Sequence, residues 1–165
     1  MKTKIWIAIL VVGVACLPGN AQLKIFGIGP YAEAALPAGH LQQTNANGLG
    51  AGLGIDIRLS RFALTGSAGF MHFGGKKVNV TEGTAKTTTI NVIPIRAGFK
   101  YYYARLFYFK LEGGAANYPD GDNSAFILSP GIGLRFPGLD IQAKYETWIK
   151  NGSNSFWGIK AGYNF

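Results

Sequence analysis

At 165 residues the chain has room for one domain, and a formal charge of +8 marks it as basic. Its charges alternate along strands instead of clustering, which argues against a nucleic-acid partner. The one cysteine, Cys16, lies in the leader described next, so disulfides, thiolate metal sites and cysteine catalysis are excluded beyond it.

The first 21 residues, MKTKIWIAILVVGVACLPGNA, have the parts of a secretory signal peptide. Lys2 and Lys4 form a positive start, Ile5–Leu17 an apolar stretch, and Gly19 and Ala21 a small-residue cleavage site. That stretch is 13 residues, short of the roughly 20 a transmembrane helix needs. A lipoprotein leader would acylate Cys16 and want a Leu-like residue three places earlier, where Gly13 stands. Cleavage is predicted between Ala21 and Gln22, leaving 22–165 as one β-barrel domain and lowering the charge to +6.

Beyond the leader the signal is period-two alternation, the mark of strands with two chemically different faces. It predicts eight strands in chain order: Phe26–Leu36, Leu49–Leu59, Arg61–Phe73, Thr89–Tyr101, Leu106–Asn117, Ser124–Phe136, Leu139–Lys150 and Ser155–Phe165. In Leu139–Lys150 one face is Leu139, Ile141, Ala143, Tyr145, Thr147 and Ile149; the other is Asp140, Gln142, Lys144, Glu146, Trp148 and Lys150.

Connections alternate in length. PAGHLQQTNANG, GGKKVNVTEGTAKTT, NYPDGDNS and NGSN are the longer ones; Ser60, Tyr103–Arg105 and Pro137-Gly138 are the short ones. An all-β, eight-stranded antiparallel up-and-down meander follows, with one elaborate and one trim end. Outer-membrane barrels share that asymmetry.

The polar face carries Glu33, Asp56, Arg58, Arg61, Arg96, Lys100, Lys110, Glu112, Arg135, Asp140, Lys144, Glu146 and Lys160. The opposite face is uncharged. A soluble barrel with charges outward and Phe, Tyr, Leu and Ile inside fits the same alternation. Three features favour a transmembrane barrel with a charged lumen instead. They are the alternating loops, the terminal Phe165, and aromatics near strand ends. Phe62, Tyr101, Phe107, Phe136 and Phe165 fall at the trim end, with Phe70, Phe126 and Trp157 towards the other. An 11-residue strand is about 36 Å long and, tilted ~40°, spans about 28 Å, close to the ~25 Å apolar band of such barrels. Phe165 would then end the strand that closes the barrel against the first, sparing unpaired backbone edges in lipid.

The stretches NVIPIRAGFKYYY (Asn91–Tyr103), SPGIGLRF (Ser129–Phe136), LDIQAKYE (Leu139–Glu146) and GIKAGYNF carry a resemblance. The chain resembles small eight-stranded outer-membrane β-barrel proteins, in particular the porin-like "outer membrane protein beta-barrel domain" family of Bacteroidota. The resemblance implies a bacterial outer-membrane location after export through the inner membrane. It also implies that Tyr163 and Phe165 are the signal read by the barrel assembly machinery.

No motif points to catalysis, a cofactor or a metal. GLGAGLG (Gly48–Gly54) has G-x-G-x-G spacing, without the G-x-G-x-x-G pattern or a following helix, and reads as glycines facing a crowded lumen, as do Gly27, Gly29, Gly131 and Gly133. Neither His40 nor His72 has a recognisable Ser and acid partner in sequence. Asp120-Gly121-Asp122-Asn123 opens like a calcium loop, but position twelve is Gly131, so turn chemistry explains it. Lys76, Lys77 and Lys86 read as a solvated loop, with contact to lipopolysaccharide phosphates as the functional alternative. The expectation is a monomeric, non-enzymatic outer-membrane barrel surrounded by lipid and lipopolysaccharide. Its lumen is plugged by paired charges, and its role is structural or a surface interaction through its loops. Porin-like transport of small solutes or ions, and then lipid modification, stand behind it.

Overall fold

Strands whose residues alternate strictly between two chemistries gain most when all of one face can be buried together, and closing the sheet achieves that. The computed structural model, which describes residues 26–80, 83–86, 89–119, 124–150 and 152–165, shows such a closed barrel. The predicted signal peptide and the Asp120–Asn123 segment lie outside the described residues.

The barrel strands are β1 (Phe26–Ala38), β2 (Asn45–Leu59), β3 (Phe62–Gly75), β6 (Ile90–Tyr102), β7 (Phe107–Asn117), β8 (Ser124–Arg135), β9 (Leu139–Lys150) and β10 (Gly152–Tyr163). Each pairs antiparallel with its neighbour along the chain, apart from a small β4 (Lys77–Val80) and β5 (Gly83–Lys86) hairpin between β3 and β6. β10 returns to β1, with Tyr31 opposite Gly162 and Ala38 opposite Ser155. The result is an eight-stranded up-and-down barrel.

Two predicted loops are corrected. The first was expected as a dozen polar residues. Instead β1 runs on to Ala38, β2 begins at Asn45 with a bulge before Gly48, and a short helix, α1 (His40–Thr44), fills the gap. Leu41 explains the helix, because turning inward there buries its side chain in the barrel mouth. Gly152–Asn154, expected in a loop, likewise belong to a strand: Lys150 already pairs with Gly152, so β10 starts three residues earlier than its hydrophobic pattern. Polar side chains hid these residues, although backbone pairing is indifferent to them.

At the trim end the turns are tight. Ser60 takes a positive φ of 59° between β2 and β3, and Gly138 one of 82° between β8 and β9. Asn164 donates its N–H to Gly138 O at 2.8 Å, and Phe165 donates to Ile28 O at 3.0 Å, so hydrogen bonding continues past β10.

The two faces sort sharply. Leu49, Leu53, Leu64, Ile95, Phe99, Phe109, Ile132 and Ile159 point outward, and Leu49 is 69% exposed. Glu33, Arg96, Lys100, Glu112, Lys144 and Glu146 point inward and are buried. This inverts the soluble arrangement. A continuous apolar belt of this kind far exceeds the few hundred Å² that soluble monomers tolerate. Among the described residues no helix is long and apolar enough to cross a membrane, which says nothing of crossing by strands.

Crowding inside is uneven. A Cβ at Gly52 would stand 2.7 Å from the Tyr31 ring, and one at Gly131 2.7 Å from Gln142 Nε2. Gly54 has no atom nearer than 3.8 Å and Gly27 none nearer than 3.4 Å, so the crowding expected at these two is absent.

Candidate functional site: the filled lumen

Inward-facing positions on successive strands fall into layers, because the pleat places every second residue in the lumen and the strand tilt staggers them. From the trim end upward there are four such layers.

The first gathers residues from β2, β6, β7, β8 and β9. Lys100 Nζ lies 2.8 Å from Asp56 Oδ2 and 2.7 Å from Asp140 Oδ2. Arg135 Nη1 donates to the same Asp56 oxygen at 2.7 Å and to Tyr102 Oη at 3.2 Å. Tyr108 donates its hydroxyl to Asp140 Oδ1 and packs edge-on against Tyr102. Arg58 joins no ion pair here. Its guanidinium sits over the Tyr102 ring, 4.2 Å from the centroid, and its Nε donates to Ser60 O. Position explains this: Arg58 is one turn from the rim, where water solvates it. Arg61, beyond it, is exposed.

The second layer holds Lys110, Glu112, Gln142, Lys160 and Tyr31. Lys110 Nζ stands 2.8 Å from Glu112 Oε1 and donates to Gln142 Oε1 at 3.4 Å. Lys160 Nζ lies over the Tyr31 ring, 3.7 Å from its centroid. Lys100 and Lys110 face each other directly across β6 and β7, a like-charge register that the acids on either side offset.

The third layer is an alternating square. Arg96 donates to Glu146 Oε1 at 2.8 Å and lies 3.5 Å from Glu33 Oε2. Lys144 stands 2.7 Å from Glu33 Oε1 and 2.6 Å from Glu146 Oε2. All four side chains are sealed from solvent. Glu33 receives its cations as ion pairs with no directed hydrogen bond, whereas Glu146 is fully bonded and also accepts from Trp148 Nε1 at 2.7 Å.

Above it the chemistry changes. Phe73, Trp148 and Phe156 meet edge-to-face with centroids 5.3–5.6 Å apart. Leu41, Met71, Val92, Ala116, Ala125 and Ile127 complete a dry stopper beneath α1. Sequence reading placed Trp148 on the polar face but did not foresee this aromatic layer. The signal was there: Trp148 and Phe156 keep the phase of the inward charges on β9 and β10, and Met71 and Phe73 that of the inward Thr65 and Ser67 on β3.

Outside the lumen, Tyr163 and Phe165 pack edge-to-face, centroids 4.9 Å apart, beside the β10–β1 seam. His72 Nδ1 lies 2.8 Å from Asn91 Oδ1 on the outer surface. His40 lines an open hollow of about 720 Å³ at the loop end with Tyr118, Trp148, Lys150 and Asn154. Burial raises the Tyr118 hydroxyl above its ordinary pKa, with a hydrogen bond to Asn154 opposing. Lys76 donates to Gln42 O at 2.5 Å, tying the β3–β6 connection to α1. The side chains of Lys77 and Lys86 lie outside the described residues. Among those described, no three His, Cys, Asp or Glu gather as a metal site.

Solved structures share this architecture. A de novo designed transmembrane β-barrel superposes with a TM-score of 0.55 at 14% identity, covering 84% of this chain and 95% of its own. The Yersinia pestis outer membrane protein Ail in a phospholipid bilayer nanodisc gives 0.53 at 18% identity, covering 84% of this chain and 99% of Ail. Ail in complex with the heparin analogue sucrose octasulfate gives 0.51 at 16%, covering 85% and 96%. No protein-family model and no curated protein matches the chain. The likeness is one of fold: the chain is an all-β, closed eight-stranded barrel built like those of the outer membrane.

Proposed function

We propose that this chain is an integral outer-membrane β-barrel protein, closed to solutes, that serves as a structural element or makes surface contacts through its loop end. The observation that carries this reading is the filled lumen inside an apolar outer belt. Three layers of ions and one of aromatics occupy the bore, and the hollow found among the charges is about 30 Å³, room for little more than a water molecule. An apolar exterior needs hydrocarbon around it, and buried charges need partners, which the lumen provides.

In this reading the protein follows the small porin-like kind that its Asn91–Tyr103 and Leu139–Glu146 stretches resemble. The leader is removed after Ala21, Tyr163 and Phe165 are read by the barrel assembly machinery, and the mature chain is a monomer in lipid and lipopolysaccharide. It is not an enzyme and carries no cofactor.

Single-channel recording of the purified protein in a planar bilayer tests closure. A silent bilayer containing verified, folded protein is expected. Stable stepwise conductance of porin size would overturn the closed-barrel reading and put small-solute transport first.

A further inference from the structure

The layers differ in charge balance. In the first, Lys100 and Arg135 face Asp56 and Asp140, two against two. In the third, Arg96 and Lys144 face Glu33 and Glu146, again two against two. The middle layer holds two cations, Lys110 and Lys160, and one carboxylate, Glu112, which Lys110 engages at 2.8 Å. Lys160 is 8% exposed and makes no ion pair with the described residues. Its register partner on β1 is Glu33, but Arg96 and Lys144 already hold both oxygens of that acid. Tyr31, below Lys160, offers a ring face and no charge.

A small cavity adjoins Lys160. Gln142, opposite Lys160 on β9, is 2% exposed, and its oxygen accepts from Lys110, so it brings Lys160 no charge. Lys110, Lys160, Gln142 and Tyr31 all line the cavity of about 30 Å³. Asp56 and Asp140 line it too, but Lys100 and Arg135 neutralise them. The cavity therefore collects surplus positive charge in a space of one-water size. Sulfate, phosphate and carboxylates are too large for it.

We propose that the mid-lumen cavity is a binding site for a single halide ion, chloride under ordinary conditions, held by Lys160 Nζ. The ion supplies the negative charge the middle layer lacks, since an unpaired buried cation costs several kcal/mol. This inference rests on the lumen's geometry and is independent of the role assigned to the loops.

The test uses the full mature chain in detergent. Crystals grown in sodium bromide are expected to show one anomalous bromine peak within hydrogen-bond reach of Lys160. Thermal unfolding at matched ionic strength should have a higher midpoint in chloride than in gluconate. Gln142→Glu places a fixed carboxylate beside Lys160, and Lys160→Met removes the surplus cation; each should abolish both the peak and the chloride preference. Either variant suffices if the other fails to fold. No peak at this position means that Lys160 is satisfied without an ion, and overturns the proposal. A peak with equal midpoints in the two salts, or one that persists in a folded variant, means an adventitious ion only and overturns it equally.

Discussion

Arg96 donates to Glu146 across the lumen at 2.8 Å, and both side chains are wholly shut off from solvent. The pair joins β6 to β9, strands on different parts of the barrel wall, so it braces the cylinder from within. Arg96→Met leaves Lys144 alone to serve Glu33 and Glu146. Breaking one side of a buried pair typically costs about 3–5 kcal/mol. Refolding in lipid vesicles should show that loss. Adding Glu146→Gln, which keeps an acceptor for Trp148 Nε1, should recover most of it. A double variant as unstable as the single one would show that the two residues are not coupled.

Ala143 and Gln142 are neighbours on β9 with opposite destinations. Ala143 is exposed on the apolar belt; Gln142 is buried beside two lysines. With the belt in a bilayer, Ala143→Arg should cost up to about 2–4 kcal/mol, depending on depth. Gln142→Glu adds a charge too, but next to Lys160, and should cost far less. Equal refolding free energies for the two would mean that the belt does not face lipid.

Two glycines paired in register should respond in opposite ways. Gly29 on β1 lies opposite Gly54 on β2. A Cβ at Gly29 would land on the Tyr163 carbonyl, at the seam where the barrel closes, whereas one at Gly54 meets nothing nearer than 3.8 Å. Gly29→Ala should prevent the compact, heat-modifiable form in electrophoresis. Gly54→Ala should fold and change stability by no more than about 1 kcal/mol, because it reduces unfolded-chain entropy without a clash. Normal folding of Gly29→Ala would place the seam elsewhere.

The aromatic stopper is predicted to be structural and not a gate. Phe156→Ala should destabilise the barrel by about 3–5 kcal/mol. It should still pass no current, because the square of Arg96, Glu146, Lys144 and Glu33 closes the bore beneath it. Channel openings specific to this variant would make the aromatics the barrier.

Phe165→Asp should block outer-membrane assembly while export across the inner membrane continues. The aromatic ring of Phe165 packs on Tyr163, and its backbone N–H bonds to β1 at Ile28. Fractionation of cells would decide it: wild-type levels of the variant in the outer membrane would refute the role of this residue in recognition.

Much of this protein is legible from spacing alone. Alternation assigned Glu33, Arg96, Lys110, Glu112, Lys144 and Glu146 to one face, and the trim turns at Ser60 and Pro137-Gly138 announced an antiparallel meander. Both are local properties, written in neighbouring residues. Pairing is not local. Asp140 lies opposite Arg135 in register, yet Arg135 turns to Asp56, 79 positions away, and Lys100 takes Asp140. Strand tilt and stagger determine which inward residues share a layer, so only the closed barrel sorts them into balanced squares and a middle layer with a surplus cation. The same holds for Arg58, whose phase matched the lumen but whose height set it at the wet rim over Tyr102. Polarity along the chain likewise hid α1, which forms because closing the barrel creates a mouth for Leu41 to fill.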